Sequence, residues 1–245
     1  MPRLPLAALL AAGTVALACT ACSGTSGTPA PAAAAGSSSA VASTTAAPAT
    51  LEAAKAGPAV AAAAKQASAV HVKGTMAEGG NINLDLQLNQ DSASGTVVKD
   101  GLEIPVLRVG DKYYFRFSDS LVKQAGIPAS AAKQLVGKWV PSTAKIGEGI
   151  AAAFKVFLDY HTFTDNTVGQ LATTTFTGGE PSTLAGTPAL NFTSPDGTAT
   201  VTAAEPHYLL RMAEPKSGTI EFSDWNKPTA VKEPPAAEIY SGPGS

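Results

Sequence analysis

The chain has 245 residues, of which 17 are Lys or Arg and 19 are Asp or Glu, so its formal net charge is −2. Because no segment carries a basic stripe, the charge pattern argues against a nucleic acid as partner. Both cysteines lie within the first 22 residues, so the rest of the chain has no disulfide and depends on the burial of apolar side chains.

The first 21 residues have the pattern of a bacterial export signal. Arg3 is the only charged side chain before Glu52, and residues 4–18 form an apolar run. This run is shorter than the roughly 20 residues that cross a membrane core, but its length is typical of the hydrophobic region of a cleaved signal. The sequence therefore predicts a signal peptide over 1–21.

Two cysteines follow the apolar run, each after a small residue. Ala18-Cys19 and Ala21-Cys22 both resemble a lipobox, the motif in which the cysteine becomes the acylated N-terminus of a lipoprotein. The polar residues after Cys22 favour it slightly. Cys19 remains the alternative, as does a secretory signal that is cleaved without acylation. Because a lipoprotein cysteine carries at least two acyl chains, such an anchor is stable.

Residues 22–50 consist almost wholly of small and polar side chains and carry no charge. Such a segment cannot bury enough apolar surface to fold, so we predict a disordered Ser/Thr/Ala/Pro tether. Signal, anchor and tether together predict an extracytoplasmic protein that is anchored to the outer face of the bacterial cell membrane.

A folded domain is predicted over 51–235, followed by a flexible tail over 236–245. The domain opens with an Ala-rich helix over 51–68, with Thr50 as N-cap and Pro58 inside the pattern. Alternating apolar and polar residues then predict five strands: 70–76, 81–89, 94–99, 102–109 and 112–118. Turn dipeptides at Gly79-Gly80 and Asp100-Gly101 join neighbouring strands, which indicates an antiparallel meander.

The pattern changes after the fifth strand. Two short helices are predicted over 119–126 and 128–136, followed by an extended piece over 137–141. A longer helix is predicted from Thr143 onward, because apolar residues recur there at helical spacing. Its apolar stripe consists of Ile146, Ile150, Phe154, Phe157 and Leu158.

Five further strands are predicted after this helix: 173–177, 187–193, 198–203, 207–213 and 219–225. Strands, then helices, then strands predict an α+β fold, a curved antiparallel sheet (half-barrel) with helices packed on the concave face. The sheet and its helical cover enclose either a packed core or a ligand cavity. Periodicity alone favours the core. A ligand cavity would be lined by Ile82, Leu84, Leu86, Leu88, Phe115, Ile150, Phe154, Phe157 and Leu158.

Residues with catalytic or metal-binding potential are scattered. His71, His161 and His207 stand alone, without a second ligand at metal-binding spacing, and no nucleophile elbow or phosphate loop is present. Acidic residues that lie near one another in sequence, such as Asp159 and Asp165, show no catalytic pattern. We therefore predict no enzyme activity, no cofactor and no metal.

Two segments carry a resemblance to a known family. Lys65 to Gly74 reads KQASAVHVKG, a helix running directly into a first strand, and 222–235 reads FSDWNKPTAVKEPP, a last strand ending near a Trp and a Pro-containing tail. Both are similar to the LppX/LprG-like group (LppX, LprA, LprF and LprG) of actinobacterial lipoproteins, within the LolA/LolB-like half-barrel superfamily. The order of elements between them is also similar. The segment 137–140 and the Ala-rich helices depart from that group.

The resemblance implies a half-barrel whose cavity holds the acyl chains of a lipid or glycolipid, for transport or presentation in the cell envelope. The expected partners are then that ligand and the membrane. The alternative is an envelope sensor or scaffold module with a filled core that binds a partner protein. An enzyme would require a cleft with acids or histidines of perturbed pKa, which the sequence does not display.

Overall fold

The structure is a computed structural model that describes residues 50–77 and 81–242. The predicted signal peptide over 1–21, nearly all of the tether, and both candidate lipidation residues, Cys19 and Cys22, lie outside the described residues. The predicted turn at Gly79-Gly80 also lies outside them. The domain boundaries drawn from the sequence therefore remain predictions.

The described strands form one antiparallel sheet, in the order β6-β5-β4-β3-β2-β1-β11-β10-β9-β8-β7. Its strands are β1 (Ala69–Met76), β2 (Ile82–Asn89), β3 (Ser92–Lys99), β4 (Leu102–Val109), β5 (Lys112–Arg116), β6 (Trp139–Pro141), β7 (Thr177–Leu184), β8 (Thr187–Thr193), β9 (Thr198–Thr202), β10 (Leu209–Glu214) and β11 (Gly218–Ser223). Two meanders are joined where β1 pairs with β11. Strands β6 and β7 are the open edges, so this sheet is a curved half-barrel rather than a closed barrel.

The helices pack against this sheet and against one another. They are α1 (Ala53–Gln66), α2 (Asp119–Gln124), α3 (Ala129–Leu135), α4 (Lys145–Leu158) and α5 (Tyr160–Asn166), with 3₁₀ turns at Gly169–Thr173 and Ala236–Glu238. Helix α4 packs on β3, β5 and β6, while α1 packs on the first 3₁₀ turn and on α5. The predicted α+β class, a curved antiparallel sheet with helices on its concave face, is confirmed.

Helix α1 begins later than predicted and is not broken by Pro58. Its N-cap is Glu52 rather than Thr50, and the helix continues through Pro58 to Gln66. A proline inside a helix removes the hydrogen bond to the carbonyl four residues earlier, which here belongs to Ala54. Both residues are exposed, so water can satisfy that carbonyl.

The strand predicted over 173–177 is not formed. A 3₁₀ turn, Gly169–Thr173, ends where the predicted strand would begin, residues 174–176 belong to no helix or strand, and β7 begins only at Thr177. Leu171 and Phe176 are buried on either side of the connection. Their burial holds the segment beneath α1, and this tertiary packing outweighs the local β propensity of the four threonines over 173–177.

The C-terminal segment over 224–240 is hydrogen-bonded along the sheet as far as β6. The bonds run from Asn226 to Ala69, from Thr229 to Asn89, from Tyr114 to Glu233 and from Tyr240 to Trp139. Part of the segment predicted as a flexible tail, 236–240, thus makes fixed contacts. The side chain of Pro234 is also buried there. Hydrogen bonds to strands of the sheet hold this proline-rich segment in place, although the segment is not itself a strand.

Candidate functional site

The concave face of the sheet is a continuous apolar layer. Residues that face one another across neighbouring strands share a face, so the register defines this layer. One row across the sheet consists of Phe222, Val72, Leu86, Gly95, Val106, Phe115 and Val140. Apart from Gly95, these side chains are buried, which makes the row the centre of the core.

The structure brings together the nine residues of the predicted cavity lining. Seven are buried in one apolar cluster: Ile82, Leu84, Leu86, Leu88, Phe115, Phe154 and Leu158. Ile150 and Phe157 pack against this cluster and are half-buried. The Phe115 and Phe154 rings are 6.1 Å apart, so α4 contacts the sheet directly. The nine residues thus belong to, or pack against, one apolar core, and Phe115 and Phe154 connect its sheet and helix layers.

A cleft of about 300 Å³ opens on the concave face next to this packed region. It lies between the end of α5, the 3₁₀ turn Gly169–Thr173 and strands β1, β10 and β11. Its apolar walls are Met76, Leu171, Met212 and Ile220. Polar side chains at the cleft include Asn166, Gln170, Asp196 and Glu214. Its volume is at the lower end of the range of ligand pockets.

Sequence reasoning missed this cleft, although a signal was present. Met76 and Met212 are two of the three methionines in the chain, and Met76 lies opposite Ile82 in the sheet. Unbranched methionine side chains adapt to irregular apolar ligands and are frequent at such surfaces. Their pairing on one face follows only from the contact of β1 with β11 and of β11 with β10.

Helix α4 is more apolar than its contact with the sheet requires. Val156 is 40% exposed, and Ile146, Ile150 and Ala151 are only half-buried. A groove of about 640 Å³ runs beside Ile146 and is lined by residues of α3 and by Tyr240. A helix with apolar side chains on more than one side is normally covered on more than one side.

A buried charged side chain interrupts the apolar layer. Arg108 of β4 lies opposite Ala93 of β3 and Tyr113 of β5 and is 8% exposed. Its guanidinium is 3.0 Å from the carboxylate of Asp159. Asp159 lies between α4 and α5 and also accepts hydrogen bonds from the backbone and side chain of Thr162, which makes it the N-cap of α5.

The charges around Asp159 set its protonation. Burial acts to raise the pKa of the Asp159 carboxyl, but hydrogen bonds from Thr162 and the charges of Arg108 and His161 outweigh it. The pKa is therefore held below its ordinary value, and the carboxylate stays ionised at neutral pH. The Arg108–Asp159 ion pair thus connects the α4–α5 junction to β4.

The other histidines take part in local contacts. On the convex face, His71 Nε2 is 2.8 Å from Asp85, while Nδ1 of His207 is 2.9 Å from the backbone oxygen of Thr202. The bond from Lys73 is the main reason that the pKa of Asp85 lies below its ordinary value. Within 50–77 and 81–242, no three His, Cys, Asp or Glu side chains are arranged to hold a metal ion.

Among the described residues, no helix combines the length and the apolar character that a membrane crossing needs.

Comparison with known proteins bears on the fold. No protein-family model matches the chain, and no curated protein sequence matches it. Among solved structures, LprF from Mycobacterium bovis is similar, with a TM-score of 0.50 and 13% identity over 74% of this chain and 96% of that chain. The M. tuberculosis lipoprotein LppX gives a TM-score of 0.43 and 15% identity, covering 71% of this chain and 95% of LppX.

A third similar structure is the Pseudomonas aeruginosa MucA/MucB complex, with a TM-score of 0.32 and 13% identity over 78% of this chain and 61% of the matched chain. Of these three, only the LprF match reaches a TM-score of 0.50, and at 13% identity it concerns the fold alone. The resemblance to the LppX/LprG group read from the sequence is confirmed at that level.

Proposed function

We propose that this protein binds the acyl chains of a lipid or glycolipid on the concave face of its half-barrel and carries or presents them in the cell envelope without catalysis. The observation that carries the proposal is the cleft beside Met76 and Met212. Its apolar walls are continuous with the layer that α4 covers. The acylated cysteine, Cys22 or Cys19, and the tether would hold the domain near the outer face of the membrane.

An acyl chain distributes between three environments: water, the membrane and the concave face of the protein. Burial of each CH₂ group contributes about 0.8 kcal/mol relative to water. Relative to a membrane the gain is small, because lipid tails are already in an apolar medium. Transfer between membrane and protein is therefore close to thermoneutral, and a donor or an acceptor must set its direction.

The described cleft is too small for a whole acyl lipid, so longer chains must extend beneath α4. The nine predicted lining residues form the surface on which they would lie. For this, α4 must move away from Phe115 and from β3, β5 and β6, exposing an apolar layer that the ligand then covers. The half-exposed apolar side chains of α4 lower the free-energy cost of this movement, because part of their surface is in contact with water rather than with the sheet.

A tryptophan in the cleft tests this proposal. Met212→Trp places a large ring where the chain end would enter, and we expect lipid uptake from vesicles to fall at least severalfold while the fold is retained. Thr219→Trp is the matched control, because Thr219 lies on the neighbouring strand with an exposed side chain. Equal uptake by both variants would contradict binding at the cleft.

A second function is supported by the packing of the core. Leu86, Leu88 and Leu158 each have 0% exposure, as expected for a filled core. On this alternative the domain is a sensor or scaffold that binds a partner protein in the envelope and takes up no lipid. Absence of uptake by the unmodified protein would favour it over the carrier.

A further inference from the structure

The buried arginine on the concave face has one donor without an acceptor. Arg108 gives one terminal nitrogen to Asp159 and the other to the backbone oxygen of Gln90, at 3.3 Å. Its Nε atom is buried and has no hydrogen-bond partner. A buried donor without a partner is unfavourable, so an acceptor that reaches this atom is favoured.

A second cation lies beside the same aromatic ring. The guanidinium of Arg108 is 5.9 Å from the centre of the Tyr113 ring, and the ammonium of Lys155 on α4 is 5.8 Å from it. In the part of the chain that the structure describes, Lys155 forms no ion pair. With Asp159 as the single carboxylate paired to Arg108, the group of Arg108, Lys155 and Asp159 carries an excess of one positive charge.

The cleft lies far from Arg108 on the concave face, and its charged residues are acidic rather than basic. Arg108 lies in the row of Ala93, Leu88 and Val70, and Val70 is six residues along β1 from Met76 in the cleft. Six residues of strand span about 20 Å. The charged residues that line the cleft are Asp196 and Glu214, both acidic.

We propose that Arg108 and Lys155 form a site for the anionic headgroup of the bound lipid, a phosphate or carboxylate. This inference rests on the proposed function. The headgroup accepts hydrogen bonds from Nε of Arg108 and from the Lys155 ammonium, and charge-assisted bonds of this kind are the strong ones. The acyl chains then run toward Met76 and Met212, since the acidic cleft repels the headgroup. The ligand is an anionic lipid with a fixed orientation.

Because Nε is closed to water, an acceptor reaches it only through the interface between β4 and the α4–α5 junction. The same movement of α4 that admits acyl chains therefore opens the headgroup site. A soluble anion lacks the apolar part that stabilises the opened state, so the site discriminates against free phosphate.

The test is a competition among three lipids with identical acyl chains: phosphatidylglycerol, phosphatidylcholine and diacylglycerol, mixed in equal amounts in vesicles. The full chain with Cys19→Ser and Cys22→Ser is incubated with the vesicles and reisolated, and its lipids are measured by mass spectrometry. We expect phosphatidylglycerol to be enriched roughly tenfold over diacylglycerol, the ratio that one charge-assisted bond supplies.

Lys155→Gln should lower this enrichment severalfold, because it removes one of the two cations of the site, and it should fold normally, because Lys155 is exposed. Lys145→Gln is the matched control, an exposed lysine at the other end of α4 with the same change in charge. Arg108→Gln should lower the enrichment further. If that variant does not fold, the ratio for Lys155→Gln decides alone.

Four results would overturn the proposal. Uptake of all three lipids in equal amounts would leave the carrier function standing and remove the headgroup site, as would an enrichment that Lys155→Gln does not change. Stabilisation of the chain by inorganic phosphate alone, lost in Lys155→Gln, would assign the site to a free anion instead. Uptake of no lipid at all would reject the carrier function together with the headgroup site.

Discussion

Replacing Leu86 with Trp separates a packed interface from an open cavity. Leu86 has 0% exposure and lies opposite Val72 and Gly95 in the sheet. Its side chain belongs to the buried apolar core, so an indole ring would overpack this position. Overpacking of a core costs about 1–3 kcal/mol, and the upper half of that range applies where backbone closes one side.

The backbone around Leu86 is such a site. A Cβ atom on Gly95 would lie 2.1 Å from the carbonyl oxygen of Asp85 and 2.9 Å from Cα of Leu86, so β2 and β3 cannot move closer together. The indole must therefore displace the buried side chains that pack on this face of the sheet. We expect a loss of about 2–3 kcal/mol, which lowers the Tm of a domain of this size by about 4–12 °C.

The assay is urea and thermal unfolding followed by circular dichroism, without lipid and after incubation with vesicles. Met212→Trp is the comparison, because its side chain lies in the cleft and should cost under about 1 kcal/mol. A Leu86→Trp variant with unchanged stability and reduced lipid uptake would refute the packed interface and indicate a cavity that is open before ligand binds. Unchanged stability with unchanged uptake would contradict both descriptions.

Three further predictions concern the elements that hold the helices over the sheet. Gly57→Ala should destabilise the protein despite the higher helix propensity of Ala, because the added Cβ would lie 2.0 Å from the carbonyl oxygen of Leu171. Thermal unfolding would then show a lower Tm. A gain in stability of about 1 kcal/mol would mean that α1 does not contact the 3₁₀ turn. Tyr160→Phe removes a buried hydrogen bond of 2.6 Å to the backbone oxygen of Ala64 and should cost about 1–2 kcal/mol in urea unfolding, so a neutral result would show that the hydroxyl does not join α5 to α1. The pKa of Asp159 is lower in the folded state than in the unfolded chain, so its contribution to stability is present above about pH 4 and is lost as the pH falls through the folded value. Urea midpoints between pH 3 and pH 7 should fall less steeply at the acid end in Asp159→Asn, which keeps the N-cap, and an unchanged profile would contradict the role of this carboxylate.

Much of the sheet could be predicted from local patterns. The alternation over 81–89 is strict because β2 has one face on the core and one in water, and the structure has this strand at Ile82–Asn89. Asp100-Gly101 joins β3 and β4 with positive φ at both residues, 51° and 80°, as a type I′ turn requires. In both cases the chain's own neighbours determine the conformation.

The elements that were missed depend on contacts between distant segments. Helix α5 begins at Tyr160, immediately after α4, because Asp159 caps it and Arg108 of β4 holds that carboxylate. The 3₁₀ turn Gly169–Thr173 forms beneath α1. Neither contact has a signature in the local sequence, since each joins residues that are more than 40 positions apart.

The candidate site likewise combines features that local patterns predict with features that depend on contacts between distant segments. Helical and strand periodicity selected the nine apolar residues that the structure brings together at the interface of α4 and the sheet. Periodicity could not distinguish a lining that is open from one that is packed. It also could not find the cleft, because the cleft arises from how strands pair across the sheet. Alternation along β4 does place Arg108 on the same face as Ile104 and Val106, but it could not give the pairing of Arg108 with Asp159.

The most direct test of the account is native mass spectrometry of the Cys19→Ser, Cys22→Ser chain after export in an actinobacterial host, followed by extraction and analysis of its lipids. The account predicts one bound lipid per chain, near stoichiometric, and anionic. A mass equal to that of the protein alone, with no uptake of added phosphatidylglycerol or fatty acid, would contradict lipid binding and favour the module with a filled core that binds a partner protein.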